Sequence, residues 1–395
     1  MRRWRLTLQT IEPRAFGTGW ISGVLAAALG ALGLGAVVCF HFPSVFTVPE
    51  LRALYPLPYM RALLHLVLVG AFVLGAISVT LRRNKALGAT GLACALVAAL
   101  LGGSQVPVSG ERTEGPFLGL DWFLLSLMIY SAMFVPIERL FALRPEQDVF
   151  RRAWRTDLMY FGVSALLLQL TTLLTMGPAM IFFDWAASAR LQAWIAGQPA
   201  ALQFVEILAL TDVCQYWIHR AFHRVPVLWR FHEIHHSAET MDWLAGARLH
   251  LIDVAVTRGL TYVPIYVLGF DQGPLVAYVV FVSVQATFIH ANVRFEFGRL
   301  AWVVATPRFH HWHHGIEPEA VDKNFAVHLP VLDWLFGTFH LPAGRWPSGY
   351  GVASERPVPA GFLRQFTHPF TRRAGDTTRP TLPAAQPPIN PPGSR

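Results

Sequence analysis

The sequence predicts an all-α protein, a polytopic bundle of membrane helices with a helical cap at the cytoplasmic face that carries clusters of histidines. Three observations predict this fold class. Of the 395 residues, 53% are hydrophobic and only 14% are charged, whereas soluble domains contain about 25% charged residues. The apolar residues fall in runs of about 20, the length of a helix that spans a bilayer. Most of the 16 histidines lie close together late in the chain.

Eight apolar runs with few charged residues account for the expected membrane helices. These runs cover residues 17–40, 62–81, 86–110, 122–137, 158–183, 198–217, 251–270 and 273–289. Charged residues interrupt the runs at 198–217 and 251–270, so these two are the weaker predictions. Only Asp271 and Gln272 separate the last two runs, which predicts a tight hairpin over 251–289.

Loop charges predict the orientation in the membrane. Arginine and lysine are frequent before the first run, between the second and third, and after the fourth, whereas the loop 104–117 has one arginine and two glutamates. Since cytoplasmic loops carry a positive excess, we expect the N-terminus and every histidine from 219 to 314 on the cytoplasmic side. A bacterial protein of this kind would lie in the inner cell membrane. The net charge of +8 then reflects orientation, and no nucleic-acid partner is expected.

Eleven of the 16 histidines lie between residues 219 and 314, and most follow helical spacing. Three clusters have the spacing i, i+4 or i, i+3, i+4: His219 and His223; His232, His235 and His236; His310, His313 and His314. Residues with this spacing share one helix face, so each cluster is expected to present its imidazoles on one stripe. His250 and His290 lie at the two ends of the predicted hairpin.

This concentration of imidazoles predicts a metal centre. Eight clustered histidines cannot all be protonated without strong repulsion, and neutral imidazole is the commonest side-chain metal ligand. A tetrahedral zinc takes at most four ligands, so eight or more histidines suggest two metal ions. The three cysteines share no spacing, which excludes a cysteine-based metal site and a disulfide framework. Imidazole suits zinc, copper, iron and nickel, so the residues alone leave the metal open.

Two aspartates are candidates for orienting these ligands from behind. Asp212 lies seven residues before His219 within an apolar run, where a carboxylate is costly unless it is paired. It is expected to accept a hydrogen bond from a histidine of another helix, or alternatively to form an ion pair with an arginine. Asp253 follows His250 by three residues and invites the same prediction.

Three stretches of sequence resemble the fatty acid hydroxylase / sterol desaturase superfamily. They are Asp-Val-Cys-Gln-Tyr-Trp-Ile-His-Arg-Ala-Phe-His at 212–223, Leu-Trp-Arg-Phe-His-Glu-Ile-His-His-Ser at 228–237, and Thr-Pro-Arg-Phe-His-His-Trp-His-His at 306–314. Asp-Lys-Asn-Phe at 322–325 and Leu-Asp-Trp-Leu-Phe-Gly-Thr-Phe at 332–339 resemble the family's C-terminal signature. The resemblance covers roughly 150–345. It implies a membrane di-iron oxygenase that uses O₂ and two electrons to attack an unactivated C–H bond of a lipid.

The resemblance also implies a ligand set for two iron ions, with no catalytic residue beyond the ligands. The set is His219, His223, His232, His235, His236, His290, His310, His313 and His314, with His250 as an additional candidate. Leu251 follows His250 where many relatives have proline. Arg294 stands where some relatives have a further histidine. His311 is an extra histidine that points off the ligand stripe, and we expect it at the surface or behind the ligands.

The expected organisation has three regions: N-terminal membrane spans of unassigned role at 1–137, a catalytic domain at 138–345, and a Pro-rich, partly disordered tail at 346–395. The chain shows no dinucleotide-binding motif and no haem domain, so the electron donor is expected to be a separate protein that docks on the basic cytoplasmic face. The lipid substrate, and the choice between hydroxylation and desaturation, stay open.

Other readings of the same histidines exist. His232-Glu-Ile-His-His236 also fits the His-Glu-x-x-His motif of zinc proteases, with Glu233 as the base. An intramembrane zinc metalloprotease would leave most of the other clustered histidines unexplained. A membrane cytochrome would place histidines within the spans rather than at their ends. A non-catalytic metal-binding membrane protein is the third alternative.

Overall fold

The computed structural model describes residues 17–54, 56–108, 116–352 and 357–371. Within these ranges the regular elements are all helices, apart from two isolated β-bridges, so the predicted all-α class is confirmed. The α-helices, numbered in chain order, are α1 (Trp20–His41), α2 (Pro43–Phe46), α3 (Pro49–Leu54), α4 (Leu57–Leu81), α5 (Ala86–Leu100), α6 (Leu120–Leu140), α7 (Trp154–Leu166), α8 (Leu168–Phe183), α9 (Ala189–Ala196), α10 (Ala200–Arg224), α11 (Pro226–His236), α12 (Leu251–Leu268), α13 (Gln272–Phe288), α14 (Pro307–His313), α15 (Val331–Leu335) and α16 (Phe362–Thr371).

Five of the described helices are long and apolar enough to cross a membrane: α1, α4, α6, α12 and the segment Ala86–Gln105 that contains α5. The number rises to seven if each of two bent helix pairs, α7 with α8 and α9 with α10, is one span. α13 is apolar but has only 17 residues. By length and composition, these are the helices of a multi-pass membrane protein.

The apolar run at 158–183 is not one straight helix. α7 and the segment Leu168–Ala186 meet at 63°. The carbonyl of Leu166, at the break, accepts a hydrogen bond of 3.1 Å from the backbone N–H of Gly119. A Cβ atom on Gly119 would lie 2.8 Å from the carbonyl oxygen of Ala165, so this approach requires glycine. A partner distant in the chain stabilises the break, which hydropathy therefore could not predict.

The first of two compact units comprises Met1–Ser131 and Ala165–Gln169. Its helices α1, α4 and α5 pack against one another. Glycines permit the close approach: a Cβ atom on Gly30 would lie 2.8 Å from the carbonyl oxygen of Gly91, and one on Gly91 would lie 2.6 Å from the backbone of Ala26. Small residues bring backbones together in this way where lipid supplies no hydrophobic drive between helices.

The second unit comprises Ala132–Ser164 and Leu170–Arg395. α10 packs against α11, α12 and α13. Ile207 of α10, Ile265 of α12 and Tyr278 of α13 belong to one buried apolar cluster. α10 continues without interruption from this cluster to Arg224, so a rigid helix carries the first two clustered histidines. The expected C-terminal tail contains α16, and residues 353–356 and 372–395 of that tail lie outside the described residues.

Candidate metal centre

The eight histidines of the three clusters converge with His290 in two groups. In each group one side-chain nitrogen of every member lies within 4.8 Å of the others. The five-histidine set is His219, His223, His232, His236 and His313. The four-histidine set is His235, His290, His310 and His314. Seven of these residues are buried, and the two on α10 are partly buried.

Each triplet is divided between the two sets, which differs from the expectation that each triplet presents one stripe of ligands. On α11, His232 and His236 join the five-histidine set, whereas His235 joins the other. At α14, His310 and His314 belong to the four-histidine set, whereas His313 belongs to the five-histidine set. Consecutive residues are about 100° apart around a helix. Each triplet therefore contributes an i, i+4 pair to one set and a single histidine to the other.

Local sequence explains where the ligand helices begin. α11 follows α10 after Val225 and begins with Pro226 at its first position, where a missing N–H costs nothing. α14 begins with Pro307 after Thr306, whose hydroxyl accepts from the backbone N–H of Phe309, as expected for an N-cap. α14 contains three histidines, and a fourth, His314, is its C-cap residue.

In the five-histidine set, the Nδ1 atoms of three rings contact acceptors behind the site. Nδ1 of His232 lies 2.7 Å from Oδ2 of Asp253. Nδ1 of His219 lies 2.8 Å from the carbonyl oxygen of Phe325, and Nδ1 of His313 lies 2.8 Å from that of Lys323. Each acceptor selects the tautomer with the proton on Nδ1, which leaves the Nε2 lone pair for a ligand.

The loop that offers these carbonyls is held by two aspartates. Asp212 accepts from the backbone N–H groups of Val327, His328 and Leu329 at 2.7 to 3.0 Å. Asp333 accepts from the N–H groups of Phe325 and Ala326 at 2.7 and 2.8 Å. Asp212 thus holds the backbone of this loop, rather than a histidine ring or an arginine. Asp253 contacts His232 directly.

Two rings of the four-histidine set, His290 and His235, also have a carbonyl acceptor at Nδ1. Nδ1 of His290 lies 2.7 Å from the carbonyl oxygen of Ala286, one helical turn earlier. Nδ1 of His235 lies 3.3 Å from the carbonyl oxygen of Arg248. Nε2 of His290 lies 3.2 Å from Nε2 of His235 and 3.0 Å from Nε2 of His310.

These contacts test whether the residues fit a metal ion. Nε2 of His219 and Nε2 of His232 are 3.0 Å apart, although both rings have their Nδ1 protons committed to acceptors. Two lone pairs at this distance repel unless a cation lies between them. Among the described residues, Nε2 of His223, His236 and His313 is buried and has no hydrogen-bond partner. A buried acceptor left in this way costs about 1–3 kcal/mol, so both sets fit bound cations.

Burial keeps the imidazoles in the form that binds metals. Burial, and then the neighbouring His313 and His223, hold the pKa of His236 well below its usual range. Burial lowers the pKa of His290 to about 4 despite the carbonyl of Ala286, which acts in the opposite direction. These rings are therefore neutral at neutral pH, and neutral imidazole is the ligand form.

The structure places His250 outside both sets. Its Nδ1 accepts from the backbone N–H of Ile252 at 3.1 Å, so it is the N-cap of α12. Its Nε2 lies 3.0 Å from the carbonyl oxygen of Phe366 on α16. Both ring nitrogens are engaged, and His250 therefore has a structural role in this arrangement.

His311 also lies outside both sets. Its Nδ1 is 2.8 Å from the hydroxyl of Tyr350, and its ring packs edge-on against Trp346. The side chain is fully buried, rather than at the surface. It therefore supports α14 from behind.

Glu233, the base in the zinc-protease alternative, is fully buried and contacts α16. Its Oε1 lies 3.5 Å from Nε2 of His368 on α16. All of the clustered histidines are accounted for by the two sets, which a three-ligand protease site does not explain.

Sequence reasoning missed the backbone carbonyls that orient the rings, because every residue has a carbonyl. The only available signal was indirect. Asn324, Asp333 and their neighbours belong to the C-terminal stretches that resemble the family, and Asn324 has a left-handed backbone with φ 58. Its amide donates to the carbonyls of Phe309 and His340 at 2.8 and 2.7 Å, which links the carbonyl loop to α14.

Comparisons with known proteins find a matching family model and several similar proteins. A model of the fatty acid hydroxylase family matches residues 204–338. An ornithine lipid hydroxylase of Rhizobium tropici is 34% identical over 184 residues, which are 46% of this chain and 54% of that protein. An alkylglycerol monooxygenase of Xenopus tropicalis is 31% identical over 130 residues, 32% of this chain and 28% of that one. A Delta(7)-sterol 5(6)-desaturase of Leptosphaeria maculans is 30% identical over 145 residues, 36% of this chain and 38% of that one. No solved structure matches the chain.

The chain spans about half the length of the ornithine lipid hydroxylase and less of the other two relatives. The family match extends over both histidine sets, Asp253 and the carbonyl loop. Residues 204–338, which include both histidine sets, are therefore similar to the fatty acid hydroxylase family.

Proposed function

We propose that this protein is a membrane-bound di-iron oxygenase that hydroxylates or desaturates an unactivated C–H position of a lipid with O₂ and external electrons. The observation that carries the proposal is the pair of histidine sets, five and four residues, whose side-chain nitrogens converge within 4.8 Å, several of them buried without a hydrogen-bond partner among the described residues. The family match and the three lipid-modifying relatives support the reaction class.

Iron is the metal that fits this chemistry. Zinc has no redox chemistry, whereas an oxygenase needs a metal that changes oxidation state. The described cysteines, Cys39, Cys94 and Cys214, are free and lie outside both sets. Among the redox-active metals, imidazole-only coordination suits both iron and copper, and the resemblance to a di-iron superfamily supports iron.

The bound iron would supply the reduction of O₂ and the oxidation of the C–H bond. The residues of the chain supply orientation and exclusion of water. Asp253 and the carbonyl oxygens of Phe325 and Lys323 hold the protons on Nδ1 of their histidines. Burial of the rings keeps water from competing for the same lone pairs. These two effects favour metal binding before any substrate arrives.

A lipid is the substrate class that the relatives and the fold support. The three relatives are named for ornithine lipid, alkylglycerol and a sterol. Large apolar side chains near the end of α8 are exposed, among them Ile181, Phe182 and Trp185. Such an apolar surface suits a bilayer from which a lipid can enter sideways. Electrons would come from a separate donor protein.

Metal analysis tests the core of this proposal. Full-length protein purified in detergent from iron-supplemented cells should contain about two iron ions per chain, because two separate sets are available. His313→Ala should lower this number, whereas His311→Ala, at a neighbouring buried position outside both sets, should retain it. Fewer than about two transition-metal ions in the wild-type protein, or equal losses in the two variants, would contradict the proposal.

Comparative lipid analysis tests the reaction. Cells that express the wild-type chain should contain a lipid shifted by about +16 mass units for hydroxylation or about −2 for desaturation. Cells that express His310→Ala should lack that species. The same shifted lipid in both cultures would show that another enzyme makes it, and its absence from both would count against oxygenase activity.

We also propose that the histidine sets face the cytoplasm. Arg152 lies just before α7. Arg190 lies in α9, after the end of α8, and is on the opposite side of the membrane in the proposed topology. In intact cells, Arg152→Cys should resist a membrane-impermeant maleimide, and Arg190→Cys should react. Cell permeabilisation should make Arg152→Cys reactive. Labelling of Arg152→Cys in intact cells would reverse the proposed orientation.

A further inference from the structure

A buried cluster of alternating charge lies beside the four-histidine set. Nε and Nη2 of Arg151 each donate to Asp242 at 2.6 Å. Nη2 of Arg151 also lies 2.7 Å from Asp157, and Nε of Arg248 donates to Asp157 at 2.5 Å. No side chain in this cluster is more than 7% exposed. Two positive and two negative charges balance, as buried charges require.

The cluster shapes a turn at residues 242–248 that contacts two ligands. Oδ1 of Asp242 accepts from the backbone N–H of Ala245 at 2.8 Å. At the end of the turn, the carbonyl oxygen of Arg248 lies 3.3 Å from Nδ1 of His235. Within it, a Cβ atom on Gly246 would lie 2.9 Å from Nδ1 of His290. A displacement of this turn therefore moves or releases two of the four histidines.

Glu138 ties the same turn to the residues that follow His290. Its Oε1 accepts from the backbone N–H of Trp243 at 2.7 Å and from that of Asn292 at 2.9 Å. The side chain of Asn292 in turn exchanges two hydrogen bonds with the backbone of Arg144, at 2.9 and 3.1 Å. Both sides of the four-histidine set are thus attached to residues 138–157.

The five-histidine set has a different support. Its acceptors are Asp253 and the carbonyl loop that Asp212 and Asp333 hold, all within the family match at 204–338. Residues 138–157 lie outside that match. The two sets therefore depend on separate parts of the chain.

We propose that residues 138–157 are a positioning element for the four-histidine set, through Glu138 and Arg151. This inference rests on the proposed metal binding. Neither residue touches a ligand ring, and each acts through the turn 242–248 or the segment after His290. Metal ligands must be held within about 0.5 Å of their productive positions, so the loss of these anchors removes one metal ion and leaves the other. Residues 204–338 alone are then an incomplete metal centre.

Arg151→Lys is the first test, because it keeps the charge but cannot reproduce the bidentate contact. The iron content should fall from about two ions per chain to about one. Adding His313→Ala should remove the remaining ion, whereas adding His310→Ala should not lower the content further. Arg152→Lys is the matched control, because Arg152 is the next residue in the sequence and its side chain is 84% exposed. This variant should retain both ions.

Glu138→Ala and Glu138→Gln provide a second pair, because glutamine keeps the oxygen that accepts from Trp243 and Asn292. The alanine variant should lose one ion, and the glutamine variant should keep both. Retention of two ions in Arg151→Lys and Glu138→Ala would overturn the inference. Equal loss from both sets would also overturn it, because it would indicate general support of the fold.

Hydrogen exchange on metal-free protein separates this inference from the proposed function. Arg151→Lys should raise amide exchange at 242–248 and at 290–294, and should leave exchange at 323–329 unchanged. Unchanged exchange at all three segments would contradict positioning. This measurement decides the inference even where the iron content of the wild-type protein contradicts the proposed function.

Discussion

At the scale of single residues, the partner of each ring nitrogen distinguishes candidate ligands from other buried histidines. His219, His232 and His313 commit Nδ1 to an acceptor and direct Nε2 toward other histidines. His250 has the same chemistry but uses both nitrogens, one at a helix N-cap and one on a carbonyl. Proximity in sequence to other histidines therefore does not make a ligand.

Asp253→Asn should weaken metal binding at the five-histidine set. An asparagine can offer its amide N–H to Nδ1 of His232, which favours the tautomer with the proton on Nε2 and removes the ligand lone pair. Loss of a carboxylate behind a ligand typically costs about 10–100-fold in metal affinity. Competition with a chelator would measure it. Asp184→Asn, at an exposed position, is the control, and equal affinity in the two variants would contradict the assigned role of Asp253.

His250→Ala should lower stability without changing the metal content. The substitution removes the N-cap of α12, and loss of a cap costs about 1 kcal/mol. Thermal unfolding in detergent and metal analysis on the same preparation would measure both effects. A loss of iron comparable to that of His313→Ala would indicate that His250 is a metal ligand and contradict its structural role.

At the scale of elements, two helices distribute ligands between two sites. α11 and α14 each give an i, i+4 pair to one set and one residue to the other. The two sets therefore share their supporting helices, although the segments behind them differ. Such sharing keeps the two sites at a constant separation, because a helix is stiff over two turns.

Paired substitutions on α14 should reveal this division. His310→Ala with His314→Ala removes two members of the four-histidine set, and one ion should be lost. His310→Ala with His313→Ala removes one member from each set, and both ions should be lost or weakly held. Metal analysis compares two double variants with the same number of substitutions on the same element. Equal iron content in the two proteins would show that the sets are assigned wrongly.

At the scale of the whole molecule, the second unit buries many imidazoles in their neutral form. Burial lowers the pKa of His290 and of His328 to about 4, and burial followed by the charge of His290 lowers that of His311 to about 3. In the unfolded chain a histidine has a pKa of about 6.5. The unfolded state therefore binds more protons than the folded state between these values.

Acid should accordingly destabilise the metal-free protein. The free energy of unfolding should fall as the pH falls from about 6.5 toward 4, since stability rises with pH wherever the unfolded state binds more protons. Thermal unfolding of chelator-treated protein at several pH values would measure this. His311→Phe should make the dependence shallower. A melting temperature that is constant or rises on acidification across this range would contradict the neutral, buried state.

The sequence by itself determined which histidines are candidate ligands and that they lie next to long apolar runs. Spacings of three and four residues describe a helix face, and runs of apolar residues describe a span, so both signals are local and survive any tertiary arrangement. Tertiary structure alone decided how His235 and His236 divide between the sets. It also decided that a loop 106 residues from His219 would orient its ring, and that Arg151 would meet Asp242 across 91 residues. These contacts depend on how separate helices pack. The sequence therefore does not identify which residue a backbone carbonyl or a loop arginine will contact.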